Sequence, residues 1–193
     1  MGNQSSHLTL YSAQAEPVYQ AILRDGACYS RPEYVQSKYG ESAHIFLTAY
    51  RWFVEQFPRY VPRPEGAQFP YWAFADLWSV DTSGPGRVLT LEVPADQAVL
   101  FDLYDWNRIV QLGYLGLDRE EERRWRRELS LQGLREYDVM STAFYPQQRQ
   151  EILDSWQRLF RHHAALLAGD RTGVGGVQAG LWYIRREWIV QVR

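Results

Sequence analysis

Residues 87–102 read RVLTLEVPADQAVLFD, and this stretch decides the fold class. Leu89 and Leu91 alternate with Thr90 and Glu92, which is the period-2 pattern of a strand with one buried and one polar face. A turn led by proline follows, and the apolar run at residues 98–101 then predicts a second, short strand. Two successive strands with no helix between them favour an antiparallel sheet over a βαβ arrangement.

Further strands and helices surround this pair in a mixed order. Apolar and aromatic runs predict the remaining strands at residues 8–12, 69–76, 177–183 and 188–192. Apolar spacings of three and four predict helices at residues 15–24, 42–57, 103–111, 118–131 and 147–167. Residues 26–40 and 169–176 are predicted to be loops. The sequence therefore predicts a single α+β domain over residues 1–193, with flanking helices, a mixed or largely antiparallel sheet and a flexible tail at residues 1–7.

The core is predicted from the apolar face of each element. Its expected members are Phe46, Tyr50, Phe53, Val54, Leu89, Leu91, Trp156, Phe160 and Trp182.

Composition excludes several classes of protein. The chain has 193 residues, enough for a full hydrophobic core, and a formal net charge of −2, which argues against a nucleic-acid binder that works by bulk charge. The single cysteine, Cys28, excludes an internal disulfide framework. No apolar run is long enough to cross a membrane, and the polar start lacks the features of a secretory signal, so we expect a cytoplasmic protein.

No complete catalytic or metal-binding signature is present. The chain has no HExxH spacing and no GxSxG elbow, and adjacent His162 and His163 point to different sides of a helix. The sequence predicts no metal site. Arg185, Arg186 and Arg193, interleaved with tryptophan and tyrosine, give a weak nucleic-acid signal that sheet packing explains more simply.

Polar side chains at strand ends among aromatic residues suggest a small-ligand pocket. The catalytic candidates are Gln178, Asp102 and Tyr11, and the ligand-binding candidates are Ser12, Gln14, Tyr71, Trp72 and Trp106. We predict that these side chains converge on one concave pocket. The alternative is structural: Gln178 pairs within the sheet, and Asp102 caps the helix that follows it.

Several segments, in order along the chain, resemble domain-of-unknown-function family 3841, an uncharacterised bacterial family. They are LYSAQ at 10–14, AYRWFVEQ at 49–56, FPYWAF at 69–74, LEVP at 91–94, VLFD at 99–102 with Trp106, SWQRLF at 155–160 and VQAGLW at 177–182. The chain departs from the family pattern where Phe101 replaces a serine and Asn107 replaces a histidine. If those positions serve chemistry, the resemblance implies an altered or inactive site here.

The layout of the chain also resembles domains of the ADP-ribosyltransferase type. The similar parts are the opening strand, the helix ending in ILRDG, the IFLTA segment, the VLTLEVP and VLFD strands and the closing strand. This resemblance implies NAD bound in a cleft between two small sheets. It also implies a glutamate where Gln178 stands, and a glutamine cannot supply the charge that stabilises an oxocarbenium-like centre.

Two functions are compatible with these patterns. The first is an enzyme or degenerate enzyme that binds a nucleotide or NAD-like ligand. The second is a non-catalytic module that interacts with protein or nucleic acid, such as a component of a bacterial defence or toxin system. A measurement of the melting temperature with NAD and with nucleotides separates the two, because a bound ligand raises the melting temperature.

Overall fold

The computed structural model describes residues 6–30 and 43–193, with the backbone alone for residues 43–45. The strands in these segments are β1 (His7–Ala15), β2 (Ala27–Tyr29), β3 (Tyr71–Phe74), β4 (Gly86–Pro94), β5 (Val99–Asp102), β6 (Val177–Leu181), β7 (Tyr183–Arg185) and β8 (Ile189–Val192). The helices are α1 (Glu16–Asp25), α2 (Ala43–Gln56), α3 (Leu103–Val110), α4 (Arg119–Leu131), α5 (Glu136–Ser141), α6 (Pro146–Ser155) and α7 (His163–Leu167). A 3-10 helix, Trp156–His162, joins α6 to α7.

Six strands form one sheet in the order β5-β6-β3-β1-β4-β8, and every pair in it is antiparallel. Strands β2 and β7 form a separate two-stranded sheet. The predicted α+β class is confirmed, and the sheet is antiparallel rather than mixed.

Apolar clusters cover the two faces of the large sheet. One cluster contains Phe53 of α2, Trp106 of α3 and Trp156 of the 3-10 helix, and it lies over the half of the sheet formed by β5, β6 and β3. The other cluster fills the opposite face with alternate side chains such as Leu10 and Leu91. The second cluster includes residues of β1 and β4, and the first does not.

The predicted core is confirmed. Tyr50, Phe53, Leu89, Leu91, Trp156, Phe160 and Trp182 are buried. The other two predicted members, Phe46 and Val54, are half-buried and pack against this core.

Four predictions of local structure need correction. Residues 6 and 7 are not in a tail, because β1 begins at His7 and the Ser6 carbonyl accepts the Ala95 N–H; residues 1–5 lie outside the described residues. The loop predicted at 26–40 contains β2, whose pairing with β7 is long-range and leaves no local pattern. Helix α5 was missed. The single helix predicted at 147–167 is interrupted by the 3-10 helix.

The 3-10 segment positions two arginines on one side. Residues three apart eclipse each other in a 3-10 helix, so Arg158 and Arg161 project together. Arg158 donates to the Leu115 carbonyl at 2.9 Å, and Arg161 donates to the Gly116 carbonyl at 3.1 Å. These two hydrogen bonds hold the connection between α3 and α4 against the 3-10 helix.

No helix within the described residues is both long and apolar enough to cross a lipid bilayer.

Acidification is expected to weaken the packing of α7 against the sheet. The His163 Nδ1 accepts the backbone N–H of Leu100 on edge strand β5 at 3.1 Å, and burial lowers the pKa of His163. The unfolded chain therefore binds the proton more tightly, and stability falls as the pH drops below about 6.5, the ordinary pKa of histidine. Unfolding in urea at pH 7.5 and pH 5.5 measures this loss.

The matched control is His163→Asn, which keeps an acceptor for Leu100 but does not titrate. Other titrating groups, such as Asp105, are present in both proteins, so their contributions to the pH dependence cancel in the comparison. Burial raises the pKa of Asp105 to about 6, and its contribution to stability therefore grows on acidification. Equal pH dependence in the wild type and the asparagine variant would contradict the role given to His163.

Candidate functional site

One row of side chains crosses the sheet and contains two of the predicted catalytic residues. In cross-strand register, Gln178 of β6 lies opposite Phe74 of β3, Phe74 lies opposite Tyr11 of β1, and Tyr11 lies opposite Thr90 of β4. Residues directly opposite each other in an antiparallel sheet project from the same face. The row therefore brings Gln178 and Tyr11 to one face, two strands apart.

Gln178 is the most unusual member of this row. Its side chain is only 3% exposed, and its Oε1 atom has no hydrogen-bond partner in the described part of the chain. A buried acceptor left unpaired costs about 1–3 kcal/mol. Such a group in a native fold calls for a further partner, such as an ordered water, an ion or a ligand.

Thr90 repeats the pattern at the other end of the row. It is 8% exposed, and its Oγ1 atom also lacks a hydrogen-bond partner among the described residues. Strands lie about 4.8 Å apart, so the backbones of Thr90 and Gln178, three strands apart, are separated by about 14 Å. Two unpaired polar atoms thus lie on the same face, in the same row.

Around these two residues lie further polar side chains on the same face of the sheet, a group that we call the polar shelf. It consists of four outward side chains of β1 and β4, Thr9, Tyr11, Thr90 and Glu92, with Gln178 at its inner edge. Tyr11 and Glu92 are half-buried and Thr9 is exposed, where its Oγ1 donates to the Glu92 carboxylate at 2.7 Å. The apolar cluster on this face contains no residue of β1 or β4.

Aromatic rings border the polar shelf on the side of the helices. Phe74 lies within the row and Trp72 lies one pleat away on the same face; both are half-buried. Trp72 packs against Trp106 with ring centroids 4.7 Å apart, and its indole N–H donates to Tyr50 Oη at 2.8 Å. These contacts hold the Trp72 ring at the boundary between the core and the polar shelf, while Trp106 itself is buried behind it.

The remaining predicted site residues point to the opposite face. Ser12 and Gln14 alternate with Tyr11, and Tyr71 precedes Trp72, so all three project away from the polar shelf. Ser12 Oγ is buried, donates to the Trp72 carbonyl at 2.6 Å and accepts from Gln14 Nε2 at 2.8 Å. The predicted convergence of all eight candidates on one pocket is not observed.

Asp102 has a structural role that accounts for both of its oxygens. Oδ1 accepts the Tyr104 N–H at 2.8 Å and caps α3, and Oδ2 accepts the Gly175 N–H at 2.9 Å. Asp102 follows Phe101, which pairs with Gln178, so its side chain lies on the face opposite Gln178. The alternative that Asp102 is a helix cap is the one that the structure supports.

Two surface cavities in the described part of the chain contain none of the residues of the polar shelf. One, of about 230 Å³, is lined by residues of α6 and by Tyr114 and Arg158. The other, of about 410 Å³, lies between the start of β1 and the β7–β8 connection, around Tyr183 and Arg185. Neither contains a predicted site residue, and we favour the polar shelf because its buried polar atoms are unpaired, whereas Arg158 and Arg185 already pair with Glu121 and Glu187.

The weak nucleic-acid signal near the C-terminus is explained by packing. Trp182 and Trp188 are buried. Trp182 stacks on Phe57 at 4.3 Å and donates its indole N–H to the Val61 carbonyl, while Trp188 stacks on Tyr183 at 5.3 Å. These two indole rings are therefore not available to stack on bases.

Thr90 is the residue that sequence reasoning missed. The alternation in 87–93 already assigns it to the polar side of β4, but nothing local shows that β1 pairs with β4. The pattern alone cannot place Thr90 in a row with Tyr11.

Comparison with known proteins identifies the family. The family model of DUF3841, a domain of unknown function, matches residues 9–190 of the chain. The chain belongs to this family. No curated protein and no solved structure gives a significant match. Of the two positions that differ from the resemblance described above, Phe101 is fully buried in the aromatic core and Asn107 is exposed on α3.

Proposed function

We propose that this member of the DUF3841 family binds a nucleotide or NAD-like ligand on the polar shelf, as an enzyme or a degenerate enzyme of the ADP-ribosyltransferase type. The observation that carries the proposal is the unpaired Oε1 of Gln178, 3% exposed and in one row with Tyr11 and Thr90. Bacterial origin and a cytoplasmic location belong to the same proposal.

The chemistry of the residues supports binding more directly than catalysis. Gln178 and Tyr11 can orient a ligand by hydrogen bonds, and Phe74 and Trp72 offer aromatic surface beside them. Glu92 is the one carboxylate on the shelf as defined, and it accepts from Thr9. A glutamine at position 178 carries no charge with which to stabilise a developing cation. If the site is catalytic, Glu92 is the carboxylate of the polar shelf that would take this role.

Gln178→Met is expected to separate binding from stability. Methionine has a similar length and no unpaired acceptor. In the absence of ligand, the free energy of unfolding of the variant should therefore exceed that of the wild type by about 1 kcal/mol. In the wild type, NAD at a hundred times its Kd should stabilise the fold by about 2.7 kcal/mol, a rise in Tm of roughly 5–10 °C. The variant should show no such rise.

Thermal denaturation with and without NAD, AMP and ATP makes this measurement. Gln150→Ala is the matched control, because Gln150 is exposed on α6, away from the sheet, and its loss should leave ligand stabilisation unchanged. If none of the three compounds raises the Tm of the wild type, the proposal fails and the non-catalytic interaction module becomes the better interpretation. If Gln178→Met keeps the full rise, the ligand binds elsewhere.

A further inference from the structure

The unpaired group at the inner edge of the polar shelf selects for a neutral, planar partner. A carboxamide offers a donor and an acceptor side by side, and its best complement is another amide or the edge of a nucleobase, which presents the same pair in reverse. Gln178 lies next to Phe74 in the cross-strand row, so a base or amide bonded to Gln178 would lie against that ring. Stacking on an aromatic side chain stabilises a bound base whatever its sequence identity.

The outer part of the polar shelf suits hydroxyl groups. Thr9, Tyr11 and Thr90 each carry a hydroxyl, and Glu92 carries a carboxylate that accepts hydrogen bonds. Thr90 Oγ1 is unpaired among the described residues, so it too would gain from a polar partner. A sugar whose hydroxyl groups lie along this part of the shelf would provide such partners.

The charges on the strands disfavour phosphate at the same place. Among the outward side chains of β5, β6, β3, β1 and β4 there is no arginine and no lysine in the described residues, and Glu92 is an anion. His7 stands at the start of β1 and is exposed. Arg193 follows edge strand β8, opposite Val88, and donates to Gln191 at 3.3 Å. Phosphate sites normally combine arginine or lysine with free backbone N–H groups, and the cross-strand neighbours of Gln178 in the described residues are Phe74 and Phe101.

Resting on the proposed function, we infer that the polar shelf recognises the nucleoside part of its ligand, the base or carboxamide at Gln178 and the ribose hydroxyls toward Thr90. Phosphate groups point away from the sheet and contribute little affinity. The substrate class is therefore a nucleoside or a nucleoside moiety, whether or not it carries phosphate.

Titration calorimetry with matched pairs tests this inference. The probes are adenosine against AMP, nicotinamide riboside against nicotinamide mononucleotide, NAD itself, and inorganic pyrophosphate. We expect the Kd of at least one nucleoside to lie within threefold of the Kd of its 5′-phosphate. Inorganic pyrophosphate should fail to compete even at a hundredfold excess. Raising the salt from 50 to 200 mM should change that affinity less than twofold, since no phosphate is neutralised.

Three variants sharpen the result. Gln178→Met should abolish nucleoside and nucleotide binding together, and Gln150→Ala should change neither. Glu92→Gln, which removes the anion, should improve AMP relative to adenosine. If NAD or AMP binds at least tenfold more tightly than every nucleoside and pyrophosphate competes, the inference is overturned while the proposed function stands. If neither nucleosides nor nucleotides bind, the proposed function fails and this inference fails with it.

Discussion

Gly180→Ala is expected to lower the free energy of unfolding by about 2–3 kcal/mol, the cost of overpacking a well-filled core. A Cβ atom at this position would lie 2.7 Å from Cζ of Phe53 and 3.3 Å from Cγ1 of Val99. The Phe53 ring cannot move aside, because it is fully buried and packs against neighbouring rings, including Phe57 at 5.2 Å and Trp72 at 5.0 Å. Urea unfolding measures the loss.

Gly84→Ala is the control for this substitution. Gly84 is exposed, and a Cβ atom there would meet nothing within 4 Å, so its replacement should change stability by less than about 0.5 kcal/mol. In the Gly180→Ala background, Phe53→Leu should restore part of the loss, since the shorter side chain makes room. Equal stability of the two alanine variants would show that Phe53 does not press on β6.

Glu136→Ala is expected to destabilise the fold by about 3 kcal/mol, because it leaves a largely buried guanidinium without its partner. Arg108 Nη2 donates to both Glu136 oxygens at 2.6 and 2.7 Å, and the same carboxylate accepts the Tyr114 N–H at 2.9 Å. The Arg108 and Glu136 side chains are 19% and 13% exposed. This pair ties α5 to α3 and to the connection that follows α3.

Chemical denaturation of three variants checks the second prediction. Glu136→Gln keeps an acceptor for the Tyr114 N–H, so its free energy of unfolding should fall less than that of Glu136→Ala. Asp138→Ala removes the partner of Arg135, whose side chain is 81% exposed, and should cost no more than about 1 kcal/mol. A loss for Glu136→Ala as small as that for Asp138→Ala would mean that the Arg108 pair is solvated.

The elements with strong local patterns could be predicted from the sequence. The alternation in 87–93 and the aromatic spacing in 42–57 follow directly from strand and helix geometry. Asp118 caps α4 by a local contact, with its Oδ1 accepting the N–H groups of Glu120 and Glu121. Each of these features depends on residues close in the sequence.

Features set by distant contacts could not be predicted. Strand β2 has three residues and exists through its pairing with β7, more than 150 positions away. The 3-10 segment Trp156–His162 has a composition typical of an α-helix. Its arginines bond carbonyls between α3 and α4, which the local sequence does not reveal.

The candidate site was predicted in part for the same reason. Polarity at strand ends pointed to Gln178 and Tyr11, which lie on one face, and also to Asp102 and Ser12, which lie on the other. Which face a strand residue takes depends on register, and the register between β1 and β6 is set through β3, which lies between them. No pattern within any single strand contains that information.

The most direct test of the polar shelf as a ligand site is an NMR titration of the ¹⁵N-labelled protein with NAD. We predict that the side-chain carboxamide signals of Gln178 shift together with the backbone amides of Tyr11 and Thr90, while those around Arg158 and Arg185 stay in place. Unchanged Gln178 carboxamide signals at saturating NAD, or shifts confined to the two surface cavities, would contradict the assignment of this face as the binding site.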